Sequence, residues 1–295
     1  MIALEHIRSG SFTVTDRQLR SARVICVVVA LIQLAFAIGL YRQADWATGN
    51  WPLADVRMTF IFLAAIAAAT AAALGWVAWR NEPGALEPVG FDLMIVSPAL
   101  ASYLLWVGID RSDRNLVATG ALWFAIGALM AVTYWWSRQV PLVDSRPLPT
   151  VVRASFAAFV AILLVVGGAL MMQRDIFPWG LDPETSIMIG FIPIGSAILF
   201  GWIVIHPAWA YGEMALTGFL AYDLVLFVPY FDLWFDRNDA AAITSYYGMP
   251  ESVGGVTGNG VNEASLVIYL FVLTFSALLA VAIYFWRLAK GPVHA

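Results

Sequence analysis

Long apolar runs alternate with short polar segments along the whole chain. Eight of these runs reach about 20 residues, the length that a helix needs to cross a hydrocarbon layer of roughly 30 Å. A segment in lipid must satisfy its own backbone polar groups, which favours helices, and the strand-like alternation of an outer-membrane barrel is not seen. The pattern predicts an all-α polytopic membrane protein with transmembrane helices at 23–41, 56–79, 89–109, 115–136, 151–172, 186–205, 212–234 and 264–286.

The two halves of the chain carry the same landmarks in the same order. Residues at matching positions are Arg23 and Arg153, Gln43 and Gln173, Asp45 and Asp175, Trp51 and Trp179, Gly75 and Gly201, Asp92 and Asp223, Pro98 and Pro229, and Arg138 and Arg287. The offset between a residue of the first half and its match in the second half is 130 residues for Arg23, 126 for Gly75, 131 for Asp92 and 149 for Arg138. Matches among apolar residues arise by chance, but ordered matches of Arg, Asp, Trp, Pro and Gly favour a duplication.

A duplicated unit of four spans fixes the relative orientation of its copies. Four crossings return the chain to its starting side, so both copies face the same way, unlike the inverted repeats of many transporters. We therefore expect two parallel four-helix repeats, at 1–145 and 146–295. The second repeat has a longer segment around Pro207, which should break a helix, and a longer external loop at about 236–263, rich in glycine. Such a loop is either a functional element or a plain surface excursion.

Composition supports the membrane class and excludes several functions. The chain is 61% hydrophobic and 12% charged, whereas soluble domains carry roughly 25% charged residues. A net charge of -4 does not favour nucleic acid as a partner. The single cysteine, Cys26, allows no internal disulfide, and the single lysine, Lys290, lies beyond the last predicted span, where it cannot hold retinal. The sequence shows no nucleotide-binding loop, histidine cluster or nucleophile elbow, so it indicates no catalytic residue, no metal and no identifiable cofactor.

Basic residues indicate how the chain lies in the membrane. When the predicted spans are followed, ten Lys and Arg residues fall on the side of the N-terminus and six on the opposite side. Because cytoplasmic segments carry more Lys and Arg, both termini are expected in the cytoplasm. We expect an inner (cytoplasmic) membrane of bacterial type, with lipid as the main partner and other membrane subunits as further candidates.

Asp92 and Asp223 are the strongest candidates for a functional site. Each follows an aromatic residue in the third predicted helix of its half and precedes a proline by six residues. An ionisable side chain in mid-membrane costs at least ~2.5–3.5 kcal/mol, so it usually faces protein or water. The pair predicts a ligand- or proton-binding site near the axis between the halves. The alternative is a structural anchor, for example paired with Arg23, Arg80 or Arg153, and Asp92 lies nearer the end of its apolar run than Asp223.

Glu213 and His206 form a second candidate site, in the segment that the first half lacks. Because histidine titrates near neutral pH, the two side chains are interpreted either as a functional polar pair or as a helix-end anchor. Pro98, Pro229 and Pro193 are predicted to kink their helices, since proline frees a backbone carbonyl. Kinked helices either line a cavity or serve packing alone.

Two classes of function fit these features. The duplication, the paired aspartates and the paired prolines favour a small-solute or proton-linked transporter or channel with its site between the repeats. The missing catalytic signatures and the high aromatic content of 14% fit a non-catalytic accessory or scaffold subunit that packs against partner helices, lipid or pigment. A membrane enzyme that acts on lipid with aspartates alone is a weaker alternative, so an enzyme is not the favoured interpretation.

Overall fold

The computed structural model describes residues 14–49, 51, 53, 56–239, 247 and 261–289, with side chains described as far as residue 282. Within these residues, eight helices are long and apolar enough to cross a membrane, and no β-strand is present. They are α1 (Asp16–Tyr41), α2 (Arg57–Arg80), α3 (Glu87–Asp110), α4 (Arg114–Ser137), α5 (Thr150–Met171), α6 (Pro183–Ile205), α7 (Trp209–Asp236) and α8 (Glu263–Ala289). The predicted all-α class is confirmed, and these helices indicate an integral membrane protein that contacts a lipid bilayer.

Several helices extend beyond their apolar runs. α1 begins at Asp16, because the Thr15 hydroxyl accepts from the Gln18 N–H at 3.4 Å and the Gln18 side chain accepts from the Thr15 N–H at 2.8 Å. α3 begins at Glu87, directly after the buried 3-10 turn Pro83–Leu86. Hydropathy places a helix end where polar residues begin, whereas capping and backbone hydrogen bonds place these ends further out.

The helices pack in two groups of four, and within each group every helix contacts the next. Consecutive helices pair as α1 with α2, α3 with α4, α5 with α6 and α7 with α8. The main contacts between these pairs are α2 against α7 and α3 against α6. One group is therefore α1–α2–α7–α8 and the other is α4–α3–α6–α5. Each group takes two helices from residues 1–145 and two from residues 146–295.

Burial separates inner helices from outer ones. In the most apolar stretch of each helix, 56% of the residues are buried in α2, 44% in α3 and α6, and 39% in α7. The corresponding fractions are 17% in α1, α4 and α5 and 22% in α8. The inner helices α2, α3, α6 and α7 thus form the core. The outer helices expose apolar side chains such as Val24, Leu122, Val165 and Phe271, as expected for contact with lipid.

The helix contacts have the symmetry expected of a duplicated unit. Exchanging each helix with the one four places away turns α1–α2 into α5–α6, α3–α4 into α7–α8, and α2–α7 into α6–α3. The matched residues Gln43 and Gln173, just after α1 and α5, both have a positive φ, at 54° and 55°. These observations favour two repeats, yet the repeat and its division at residue 145 stay predictions.

The connection between α5 and α6 folds into the core. Phe177 and Trp179 are 2% and 0% exposed, and Trp179 Nε1 donates to Thr59 Oγ1 of α2 at 3.0 Å. Indole and hydroxyl satisfy each other in a region that is otherwise apolar. This contact joins the two halves at one end of the bundle.

The opposite end is joined by two chain segments that run side by side. The Leu148 N–H, between α4 and α5, donates to the Pro207 carbonyl at 2.8 Å, between α6 and α7. The predicted break at Pro207 is confirmed, since α6 ends at Ile205 and α7 begins at Trp209. Of the predicted loop at 236–263, residues 240–246 and 248–260 lie outside the described residues.

Gly90 of α3 permits a close approach to α4. A Cβ atom at Gly90 would lie 2.8 Å from Tyr134 N and 2.9 Å from Tyr134 Cα, which belong to a helical backbone. A Cβ atom at Gly75 of α2 would instead have no neighbouring atom within 4 Å. We predict that Gly90→Ala destabilises the protein by about 1–3 kcal/mol through overpacking. Gly75→Ala should be neutral or stabilising by up to roughly 1 kcal/mol, because alanine favours a helix.

Thermal unfolding of the two glycine variants in the same detergent measures this difference. Both substitutions add one methyl group inside a helix, so they differ only in what that group meets. Equal unfolding temperatures for the two variants would contradict the close α3–α4 contact.

Candidate functional site

Asp223 lies in the middle of α7 and is almost completely buried, with an exposed fraction of 1%. The Ser276 hydroxyl, near the midpoint of α8, donates to Asp223 Oδ2 at 2.7 Å. The second carboxyl oxygen, Oδ1, is buried and has no hydrogen-bond partner among the described residues. Asp223 is therefore a buried carboxyl with only one oxygen engaged by the protein.

Asp92 lies where α3 packs against α6 of the other half, and it is 8% exposed. A Cβ atom at Gly195 of α6 would lie 2.8 Å from Asp92 Oδ1, so the glycine makes room for the carboxyl. Asp92 Oδ1 is also buried without a hydrogen-bond partner among the described residues. Because Gly195 is in the middle of α6, Asp92 reaches deeper into the protein than its place in the apolar run indicates.

Neither aspartate forms an ion pair with any residue that the structure describes. Arg153, one of the expected partners, instead donates from Nε to the Val204 carbonyl at 2.9 Å. An uncompensated carboxylate is costly in an apolar interior and in lipid. Each carboxyl therefore needs a proton or a cation to compensate its charge.

Proline residues follow both aspartates within their helices. Pro98 lies inside α3, Pro229 inside α7 and Pro193 inside α6. Each removes a backbone N–H and leaves the carbonyl four residues earlier without its helical donor. Pro98 packs on Gly127 of α4, where a Cβ atom would lie 2.8 Å from Pro98 Cδ. Kinks at the three prolines stay a prediction.

His206 and Glu213 lie where α6 gives way to α7. The His206 ring stacks on Trp202 with 4.2 Å between ring centroids, and its Nδ1 is 3.3 Å from the Trp202 carbonyl oxygen. Glu213 Oε2 accepts from Trp209 Nε1 at 2.9 Å. Each side chain is thus held against a tryptophan at a helix end, and a functional pairing of the two stays a prediction.

Sequence reasoning missed a buried carboxylate at this same end of the bundle. Glu82, with 3% exposure, accepts from the N–H groups of Val143 at 2.6 Å and Asp144 at 3.3 Å. Burial raises the pKa of the Glu82 carboxyl, and the two backbone N–H groups oppose this effect. Glu82 therefore fixes the connection between α4 and α5 to the one between α2 and α3.

Glu87, five residues further on, joins three helices. The Tyr211 hydroxyl of α7 donates to Glu87 Oε2, and Arg138 Nε at the end of α4 lies 3.4 Å from Glu87 Oε1. The Arg138 guanidinium also lies over the Tyr134 ring, 5.3 Å from its centroid. Single acidic residues between two spans give no signal in a hydropathy pattern, and their partners are distant in sequence, so the chain alone does not reveal this cluster.

A cavity of about 30 Å³ lies between α5, α6, α7 and α8. Ser276, the donor to Asp223, lines it together with phenylalanine side chains from all four helices. A wider surface groove of about 430 Å³ follows the turn between α3 and α4 near Asp113. Ser276, the hydrogen-bond donor to Asp223, thus lines a cavity, whereas neither Asp223 nor Asp92 lines either of these two spaces.

Comparisons with protein families, with curated proteins and with solved structures found no match. Across the part of the chain that the structure describes, no group of three or more His, Cys, Asp or Glu side chains is placed to hold a metal ion. The candidate site is therefore defined by its own chemistry: two buried carboxyls, their glycine and serine neighbours, and the inner helices that position them.

The raised pKa of Glu82 predicts a pH dependence of stability. A carboxyl that binds its proton more tightly in the folded state stabilises the fold at low pH, and this contribution is lost as pH rises through the folded pKa. We expect the wild type to lose stability relative to Glu82→Gln as pH rises from about 4, near the usual glutamate pKa, to about 7.

Unfolding temperatures of the wild type and of Glu82→Gln across this pH range measure the effect. Glu184→Gln removes a carboxylate that pairs with Arg111 at the other end of the bundle, so it controls for the loss of one charge. The difference in unfolding temperature between the wild type and Glu82→Gln could instead stay constant with pH, or grow in favour of the wild type as pH rises. Either result would show that burial does not raise the pKa of Glu82.

Proposed function

We propose that the chain is a small-solute transporter or channel linked to protons, with Asp92 and Asp223 as the groups that bind the proton or the solute. One observation carries the proposal: both carboxyls are buried on inner helices, and each has an oxygen without a hydrogen-bond partner among the described residues. A carboxyl that serves only as an anchor normally has its buried oxygens engaged by the protein. The open acceptor on each aspartate favours a mobile occupant.

The chemistry of a buried carboxyl supports coupling between a proton and a solute. With a proton, the group is neutral and compatible with apolar neighbours; without one, it needs a cation nearby. Proton and cation therefore compete for the same negative charge. Such competition links the movement of one across a membrane to the movement of the other.

The inner helices support a site that responds to the relative position of the two halves. Asp92 of α3 faces Gly195 of α6, which belongs to the other half, and α2 meets α7 in the corresponding contact. A movement of one half against the other changes the surroundings of Asp92. Transporters built from two related bundles reach alternating access by movements of this kind.

We also propose that both termini face the cytoplasm of a bacterial-type inner membrane. The excess of Lys and Arg on that side supports this orientation. The cluster of Glu82, Glu87, Tyr211 and Arg138 then lies at the cytoplasmic end of the bundle. Trp179 and Thr59 lie at the opposite, external end.

The outer helices favour a second candidate function, that of an accessory or scaffold subunit in a membrane complex. α1 packs mainly on α2 and leaves most of its apolar side chains outside the protein. Lipid or the helices of a partner subunit would cover such a surface. Purification in mild detergent separates the two candidates, because an accessory subunit retains its partner in fixed proportion.

Dicyclohexylcarbodiimide, an apolar reagent that modifies protonated carboxyls, tests the proposed site. We expect adducts at Asp92 and Asp223 in liposomes, forming faster at low pH than at high pH, because the reagent requires the protonated form. Asp92→Asn and Asp223→Asn should each lose the adduct at the substituted position. Asp110→Asn and Asp232→Asn alter exposed aspartates of the same two helices and serve as matched controls. Mass spectrometry of peptides locates the adducts.

Proton movement into the same liposomes, driven by a valinomycin-imposed potential and followed with a trapped pH dye, supplies the functional readout. We expect Asp92→Asn and Asp223→Asn to reduce the flux to that of protein-free liposomes and the two control variants to leave it unchanged. Unmodified aspartates at every pH, or a flux that both Asn variants retain, would contradict the proposal.

A further inference from the structure

The cavity between α5, α6, α7 and α8 is lined mainly by aromatic rings and opens to the outside of the bundle beside Phe275, which is 51% exposed. Five of its lining residues are phenylalanines, with at least one from each helix: Phe156, Phe159, Phe200, Phe219 and Phe275. Ring centroids lie 4.9 Å apart for Phe156 and Phe200, 4.9 Å for Phe159 and Phe219, and 5.2 Å for Phe200 and Phe219. The ring planes of these pairs are inclined by 57°, 82° and 72°, so both faces and edges of rings contribute to the wall.

Ser276 connects this cavity to Asp223. Ser276 is one of the residues that line the cavity, and its hydroxyl donates to Asp223 Oδ2 at 2.7 Å. Asp223 is 1% exposed, and its Oδ1 has no hydrogen-bond partner among the described residues. A carboxyl with unused acceptor capacity therefore lies one hydroxyl group away from a cavity whose lining is almost entirely apolar.

The matched positions of the first half carry no aromatic rings. With the spacings of the predicted repeat, the five phenylalanines correspond to Cys26, Val29, Leu74, Pro88 and Ile126, and Ser276 corresponds to Gly127. In the first half, small and aliphatic side chains thus occupy the positions where α1 to α4 pack against one another. The combination of rings, hydroxyl and carboxyl at the second set of positions points to a ligand.

We propose that this cavity binds a small ammonium cation, of the size of ammonium or methylammonium. The faces of aromatic rings attract a cation, most strongly where water is excluded. The Asp223 carboxylate supplies the compensating charge. A cavity of about 30 Å³ has room for about two groups of the size of a water molecule, at roughly 10–15 Å³ each, which matches the two heavy atoms of methylammonium. The inference rests on the proposed function of Asp223 and names the solute class of that site.

Equilibrium binding of radiolabelled methylammonium to the purified protein in detergent tests the inference. We expect saturable binding that unlabelled ammonium displaces. Methanol, a neutral molecule with the same number of heavy atoms, should not displace it, because the site recognises charge. Tetraethylammonium should not displace it either, because it is too large for the cavity.

Variants on α7 locate the bound cation. Phe219→Leu removes one ring and should weaken methylammonium binding about 2- to 30-fold, the range that a cation–π contact supports. Phe219→Tyr keeps the ring and should keep the affinity, and Asp223→Asn should abolish binding. Phe235→Leu and Asp232→Asn, at exposed positions of the same helix, are the matched controls and should leave binding unchanged. Size-exclusion chromatography establishes that each variant is folded.

The inference is overturned if saturable binding is absent, if methanol competes with methylammonium, or if the folded Phe219→Leu variant binds as tightly as the wild type. Carbodiimide modification of Asp92 and Asp223, measured on the same preparations, separates this result from the proposed function. Modification without methylammonium binding overturns the ammonium site and leaves the proton site. Methylammonium binding without modification upholds the ammonium site and overturns the proton site.

Discussion

A carboxylate in the middle of a bilayer must have its charge compensated, and this requirement governs the centre of the protein. Asp92 and Asp223 are buried on inner helices and form no ion pair with the residues that the structure describes. Their neighbours are small or hydroxyl-bearing: Gly195 beside Asp92 and Ser276 beside Asp223. Because the described residues offer no fixed positive charge there, we propose a proton or a mobile cation as the partner of each carboxyl.

The ends of the bundle differ from its centre. At one end the Trp179 indole donates a hydrogen bond to Thr59. At the other end the Glu82 carboxylate accepts hydrogen bonds from two backbone N–H groups. Both contacts join segments that are distant in sequence and satisfy polar groups that burial would otherwise penalise. The centre instead contains carboxyl oxygens without a partner among the described residues and a small cavity that Ser276 helps to line. Among the acidic residues that the structure describes, Asp92 and Asp223 are thus the two with a buried oxygen that has no hydrogen-bond partner.

The membrane helices could be predicted from the sequence, and the two aspartates could be picked out as charges within apolar runs, because both features are visible in a hydropathy pattern. The sequence was insufficient for the neighbours of the aspartates. Gly195 and Ser276 are small residues inside apolar runs, and nothing in their local sequence shows that they face a carboxyl. Helix pairing across the halves, such as α3 with α6, depends on side-chain packing between distant segments. The hydropathy pattern placed the start of α1 at residue 23, although Thr15 followed by Gln18 is a capping-box pattern that indicates the earlier start.

The proposed site depends most on the position of Asp92 in the contact between the halves. Disulfide formation between Asp92→Cys and Gly195→Cys, in a Cys26→Ser background, tests it most directly, because two cysteines bridge when their Cβ atoms are about 3.5–4.5 Å apart. A Cβ atom at Gly195 would lie 3.5 Å from Asp92 Cγ, the position that the sulfur atom takes in Asp92→Cys. We expect rapid loss of both thiols in the monomer after mild oxidation. Retention of both thiols, or an equally rapid bridge from Asp92→Cys to Ala69→Cys on α2, would contradict it.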